Sequence, residues 1–269
     1  MLGRLIKYEF KATQRVFLPL YGLIIACAAL IRVFMLFNLQ KANNMAVVPF
    51  VISIIVYAVL IAAVFVMTLV VTIQRFQKNL LGDEGYLSFT LPVKTHSQID
   101  SKMIVSLVWT VLSLAVAALS VFILVYDVNF PAQWAEFWRS VRSWFRSCGA
   151  VSHVLVWECV VLAVASVLAG ILQLYASVVV GNFSGKHKLL AGFGTFIGFS
   201  VVEQVAASMI VNWVSSALAL DGLRQSVSEI EAEWAIVGVL GVVILFVLIF
   251  GLAFYFLTNW LLSRKLNLE

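Results

Sequence analysis

Long apolar runs divide this chain, and short polar islands separate them. A helix needs about 20 apolar residues, at about 1.5 Å each, to cross roughly 30 Å of hydrocarbon. Six stretches meet that length: 16–37, 46–73, 103–126, 151–181, 189–218 and 234–262. Their apolar character is continuous, whereas barrel strands alternate in short segments, so the pattern predicts helices. The second and fourth runs exceed what a bilayer requires and are expected to tilt or project beyond it. The predicted fold is an all-α integral membrane protein, one transmembrane domain over 1–269 with six spans.

Three of the polar islands are amphipathic. In 1–15, Arg4, Lys7, Lys11 and Arg15 recur at helical spacing, with Leu2, Leu5, Ile6 and Phe10 on another face. This predicts an interfacial elbow helix lying in the headgroup layer before the first span. Between spans three and four, FPAQWAEFWRSVRSWFRSCG places Trp134, Phe137, Trp138, Val141, Trp144 and Phe145 at steps of three and four. Arg139, Arg142 and Arg146 fall on other faces, which predicts an outer interfacial helix over 130–148. It could serve as a lid or docking surface for an amphipathic substrate, or simply pack as a cap on the bundle. The third island lies between spans two and three.

Composition supports a lipid solvent. Hydrophobic residues make up 63% of the 269, charged residues 12%, and mean hydropathy is +1.04; soluble domains are about a quarter charged. The formal charge of +5 reflects basic residues between apolar runs, the pattern of cytoplasmic loops rather than of a nucleic-acid-binding surface. Arg4, Lys7, Lys11, Arg15, Arg75, Lys78, Lys94, Lys102, Lys186, Lys188, Arg264 and Lys265 share one side if both termini are inside, so N-in/C-in is expected. The arginine trio at 139–146 opposes this, unless its helix lies along the outer leaflet. Cys27, Cys148 and Cys159 form no disulfide framework or metal spacing.

Ionisable groups inside spans are costly and face the bundle interior or water. Three stand out: Arg32, Glu158 and Glu203. Glu203, with Gln204 beside it and Asn212 along the helix, and Glu158, with His153 nearby, are candidates to line a substrate pathway; interhelical hydrogen bonding is the competing role. No catalytic set is recognisable. GNFSGKHK at 181–188 superficially suggests a phosphate loop, but it has three residues between its glycines and His187 where Ser or Thr would hold magnesium. HExxH and GxSxG are absent, and His96, His153 and His187 lack metal spacing. The chain is therefore expected to be no enzyme and to bind no cofactor itself.

The island NLLGDEGYLSFTLPVKTH carries Tyr86, Leu87, Phe89 and Leu91 on the inner side. Asn79 can cap a short helix, Gly82 and Gly85 permit a close turn, and Pro92 ends the unit. Thr95 and Gln98 then have capping-box spacing at the start of the third span. Left in water, the apolar side chains would forfeit a few kcal/mol at about 25 cal/mol per Å², so a partner surface or the membrane should cover them. The stretch EGYLSFTLPVKTHSQIDSK (84–102) resembles the first cytoplasmic loop of ABC-2-type transporter permeases, the membrane subunits of ATP-driven exporters. The loop NFSGKHKLL and the aromatic outer segment are similar to members of this family from Gram-positive bacteria. The resemblance implies a cytoplasmic-membrane protein of a bacterium, with 79–91 as a coupling helix. Gly82, Asp83, Glu84, Gly85, Tyr86, Leu87, Phe89, Leu91 and Pro92 would dock on a separate ATP-binding subunit, which holds ATP and Mg. A second permease chain would complete the unit, exporting a hydrophobic or amphipathic peptide, drug or lipid. The alternative is a non-transporting membrane sensor or scaffold that binds an amphipathic peptide or lipid.

Overall fold

A computed structural model describes residues 2–37, 44–81, 95–127, 130–147, 149–184, 187–220 and 229–264. These form seven helices: α1 (Leu2–Leu36), α2 (Asn44–Leu80), α3 (Thr95–Val125), α4 (Phe130–Ser147), α5 (Gly149–Asn182), α6 (Lys188–Leu220) and α7 (Glu229–Arg264). All but α4 contain a stretch long and apolar enough to cross a membrane, making six candidate spans. No strand occurs among the described residues. Leu, Ile, Val and Phe side chains stay exposed along these helices, among them Leu23, Ile55, Val202 and Leu245. Lipid is the solvent that such a surface fits.

The helices form two compact units, Met1–Phe76 with Pro92–Glu136, and Gln77–Leu91 with Phe137–Glu269. In the first, α1 buries one stripe, Thr13, Phe17, Tyr21, Ile24, Ala28 and Ile31, at steps of three and four. Its core adds Tyr57 and Val64 from α2 and Val105 and Trp109 from α3. Contacts rise in step along α1 and α3 (Glu9 with Lys102, Thr13 with Trp109, Tyr21 with Ser113, Arg32 with Asp127), so these helices run parallel. Tyr57 meets Ser120 and Thr68 meets Ser113, so α2 runs antiparallel to them.

Two expectations change here. The elbow helix over 1–15 is not a separate element, because Leu2–Leu36 is one helix with no break at 15–16. Ile6 and Phe10, predicted to face lipid, pack instead against the unit's core. The stripe therefore continues across the predicted boundary, and packing on α3 accompanies an unbroken helix through it. Likewise α2 runs unbroken through Asn79 to Leu80, so Asn79 closes this helix rather than capping a new one. The helix start expected at Thr95 is where α3 begins.

The second unit follows the same plan. Residues rise together along α5 and α7, with Ala169 against Gly251 and Glu158 against Gly241, so these helices run parallel. Gln173 donates to Ser200 Oγ (2.9 Å) and Thr195 donates to the Ser177 carbonyl (3.0 Å), making α6 antiparallel to α5. The α5–α6 crossing is closest at Gly181, where an added Cβ would fall on the backbone of Gly192. Small residues at such a crossing let backbones approach, which is how helices gain packing energy in lipid. A Gly181→Val substitution should force α5 and α6 apart. We expect a loss of several kcal/mol, as for a buried overpacking with no flexible neighbour to yield. The check is thermal unfolding and size-exclusion profile in detergent, with Gly170→Val, whose added Cβ meets nothing within 4 Å, as the tolerated control.

Candidate functional site

Polar side chains in the first unit gather on one seam of α3. Gln98, Ser101, Lys102, Ser106, Trp109, Ser113 and Ser120 are all buried there. Each step of three or four residues keeps them on the face turned to α1 and α2. Lys102 Nζ donates to Glu9 Oε1, with both side chains largely buried. One turn on, Trp109 Nε1 donates to Thr13 Oγ1 (2.7 Å) while its indole stacks between Phe10 (4.7 Å) and Phe17 (4.4 Å). Ser113 then shares hydrogen bonds with Tyr21 (2.8 Å) and Thr68 (3.1 Å), and Ser120 shares one with Tyr57 (2.9 Å). At the far end Arg32 lies 3.8 Å from Asp127, beside a cleft of about 560 Å³ lined also by Phe122, Tyr126 and Pro131. From Glu9 to Arg32 is 23 residues of α1, about 35 Å at 1.5 Å per residue, comparable to a bilayer core. The two ion pairs thus bracket a membrane-length ladder of neutral hydrogen bonds.

Sequence reasoning singled out Arg32 but not its partner, and counted Lys102 only as a basic residue of the inner side. Glu9, Trp109, Ser113 and Tyr21 were missed. The available signal was the run of polar residues at helical steps through an otherwise apolar α3.

In the second unit, Glu158 lines a cleft of about 350 Å³ with His153, Val154, Trp157, Val161 and Ile244. Its Oε2 is buried with no hydrogen-bond partner among the described residues. A Cβ at position 241 would stand 3.8 Å from Oε1, in ordinary van der Waals contact, which places the Glu158 carboxylate beside α7. Glu203 is half-buried on α6, whereas Gln204 and Asn212 are exposed. Extending the register of Gln173 with Ser200 puts Glu203 level with position 170. That is 12 residues, about 18 Å, from Glu158. The predicted pathway set is therefore not gathered into one site: Glu158 lies in a cleft, and Glu203 stands elsewhere on the unit. The loop residues Gly82, Asp83, Glu84, Gly85, Tyr86, Leu87, Phe89, Leu91 and Pro92 lie outside the described residues. Among the described residues, no three of His, Cys, Asp and Glu converge as a metal site would require.

No family model, no curated protein and no solved structure matches this chain.

The buried Glu9–Lys102 pair yields a measurable asymmetry. Removing one partner of such a pair leaves an uncompensated charge and costs about 3–5 kcal/mol, whereas replacing both with apolar groups is close to neutral. Glu9→Leu and Lys102→Met should each lower thermal stability in detergent strongly, and the double variant should recover most of the loss. Equal additive losses would show that the two charges do not depend on one another.

Proposed function

We propose that this chain is the permease subunit of an ATP-driven exporter, moved by a separate ATP-binding subunit that grips the segment between α2 and α3. The observation that carries the reading is the set of apolar side chains, Tyr86, Leu87, Phe89 and Leu91, in the polar stretch that joins α2 to α3. α2 has 37 residues and α3 has 31, about 55 and 46 Å at 1.5 Å per residue, against roughly 30 Å of hydrocarbon. Like the other candidate spans, both are longer than a bilayer needs. Helical arms of this kind carry displacement of a loop into the spans as rigid-body tilt. Lys102, in the arm formed by α3, is tied to Glu9 of α1, so a push on the segment before α3 would move α1 and α3 together. The likeness of 84–102 to an ABC-2 coupling loop supports the same reading. ATP and Mg would be held by the partner, and a second permease chain would complete the assembly in a bacterial cytoplasmic membrane. The cargo class that fits apolar spans with a carboxylate in a cleft is an amphipathic peptide, drug or lipid, with Glu158 as its first contact.

A sensor or scaffold role is the second reading, favoured by the exposed aromatic side chains of α4. Substrate flux in proteoliposomes separates the two. To test the first, the chain is co-expressed with a candidate ATP-binding subunit, and Tyr86 and Phe89 are changed to Ala. Apolar anchors at the centre of an interface are worth about 2 kcal/mol or more each, so the double variant should weaken co-purification by at least tenfold. ATP-driven flux should fall with it. Undiminished assembly and flux in the variant would rule out this segment as the handle.

A further inference from the structure

α4 differs from every other helix in the chain. None of its residues is buried, and it is the helix too polar to be a candidate span. At 100° per residue, Phe130, Trp134, Phe137, Trp138, Val141, Trp144 and Phe145 cover a sector of about 120°. Trp134, Phe137, Trp138 and Trp144 are 44–54% exposed. The arginines are not scattered over the rest of the surface. Arg142, Arg146 and Arg139 fall within about 60° of one another, beginning next to Trp138, whereas the opposite flank holds Ser140, Ser143, Ser147 and the single acid Glu136. The helix therefore has an apolar face, one cationic edge and one edge of serines with a carboxylate.

Its attachment restricts where that face can lie. Four residues join α4 to the end of α3, and one residue joins it to the start of α5. Both corners are pinned. Phe130 packs edge-on to Phe122 (5.1 Å) and beside Tyr126 (5.4 Å), and the Phe130 amide donates to the Asp127 carbonyl (2.9 Å). At the other end the buried Ser152 hydroxyl donates to the Phe145 carbonyl (3.4 Å), and Phe145 lies against His153 (5.3 Å). α4 is 18 residues long, about 27 Å. Connectors this short keep each end of α4 next to the end of the span that it joins.

We propose that α4 lies in the headgroup layer with its aromatic sector in the acyl boundary, and that Arg139, Arg142 and Arg146 form a binding edge for the phosphates of anionic phospholipid. The three guanidinium groups are spread over about 10 Å of helix axis, enough for more than one headgroup. Guanidinium pairs with phosphate oxygens bidentately, and Trp is favoured at this depth. The inference concerns lipid and stands whether or not the chain is an exporter.

The test uses the full-length chain with Cys27, Cys148 and Cys159 replaced by Ser and a single cysteine, Val141→Cys or Ser143→Cys, carrying a fluorophore. It is reconstituted in phosphatidylcholine–phosphatidylglycerol vesicles containing a lipid with a quencher on its acyl chain. The label at 141 should be quenched and the label at 143, on the opposite side of the helix, should not. Equal quenching at both sites, or none at 141, overturns the seating; in the second case protein rather than lipid covers the face. In a second arm the native cysteines are kept, and phosphatidylglycerol retained through purification is measured by mass spectrometry. Changing all three arginines to Gln should weaken its retention on the order of a hundredfold, since each cation near an anionic surface contributes about tenfold or less. The Lys triple variant should recover part of that loss. Retention unchanged in the Gln variant overturns the phosphate edge, and so does equal loss in the Gln and Lys variants; both are compared at a size-exclusion profile matching the native chain, which excludes a misfolded variant.

Discussion

Trp109 does two things that helices in lipid rarely manage with one side chain. Its ring lies flat between Phe10 and Phe17, one turn of α1 on either side of Thr13, and its only polar atom is satisfied by the Thr13 hydroxyl. Sliding α1 along α3 by a single turn would break both contacts together, so the register of the two helices is set here. Apolar packing alone could not set it, since lipid tails are as apolar as leucine and give little preference for one helix position over another. The Glu9–Lys102 pair before this point and the Tyr21–Ser113 bond after it then fall into place on the same seam.

The two units solve the same problem by different means. In the first, hydroxyls, an indole and an ion pair join α1, α2 and α3, each bond being worth a modest amount, about 0.6 kcal/mol on average in such helices. Their value lies in number and in direction. The second unit relies more on small residues: Gly181 against Gly192 and Ala169 against Gly251 bring backbones close, with Gln173–Ser200 as a polar fastening. Yet both units place their first and third helices parallel and their second antiparallel. That shared plan is not visible as sequence repetition, because polar seams and glycine crossings have no residues in common.

Legibility followed the range of the interaction. The six spans could be read because a run of apolar residues is a local property, and α4 could be read because its aromatic period lies within 18 residues. The elbow was misjudged for a physical reason: a basic amphipathic stripe has the same period whether it meets headgroups or another helix, and only Trp109, 96 residues away from Thr13, decides between them. The partners of Lys102 and Arg32 were hidden in the same way. An acid such as Glu9 among basic neighbours looks like a solvated charge until a buried lysine is set against it. Glu158 and Glu203 were grouped because both are acids in spans, but helix register puts them about 18 Å apart.

That separation bears on how a cargo could be handled. Glu203 shares its face of α6 with Ser200, itself already bonded to Gln173, in a half-buried setting typical of fastening between helices. Glu158 is different, for its buried oxygen has no partner among the described residues and glycine stands opposite. An unsatisfied carboxyl oxygen in apolar surroundings costs one to several kcal/mol, and evolution could have avoided that with Gln in a better-bonded position or with Leu. A donor that arrived from outside the unit would recover the cost on binding, and Trp157, Val161 and Ile244 around it offer apolar surface to whatever carries that donor. Of the two carboxylates, Glu158 is the one whose buried oxygen lacks a partner among the described residues, and a hydrogen-bond donor entering its cleft would offset that cost.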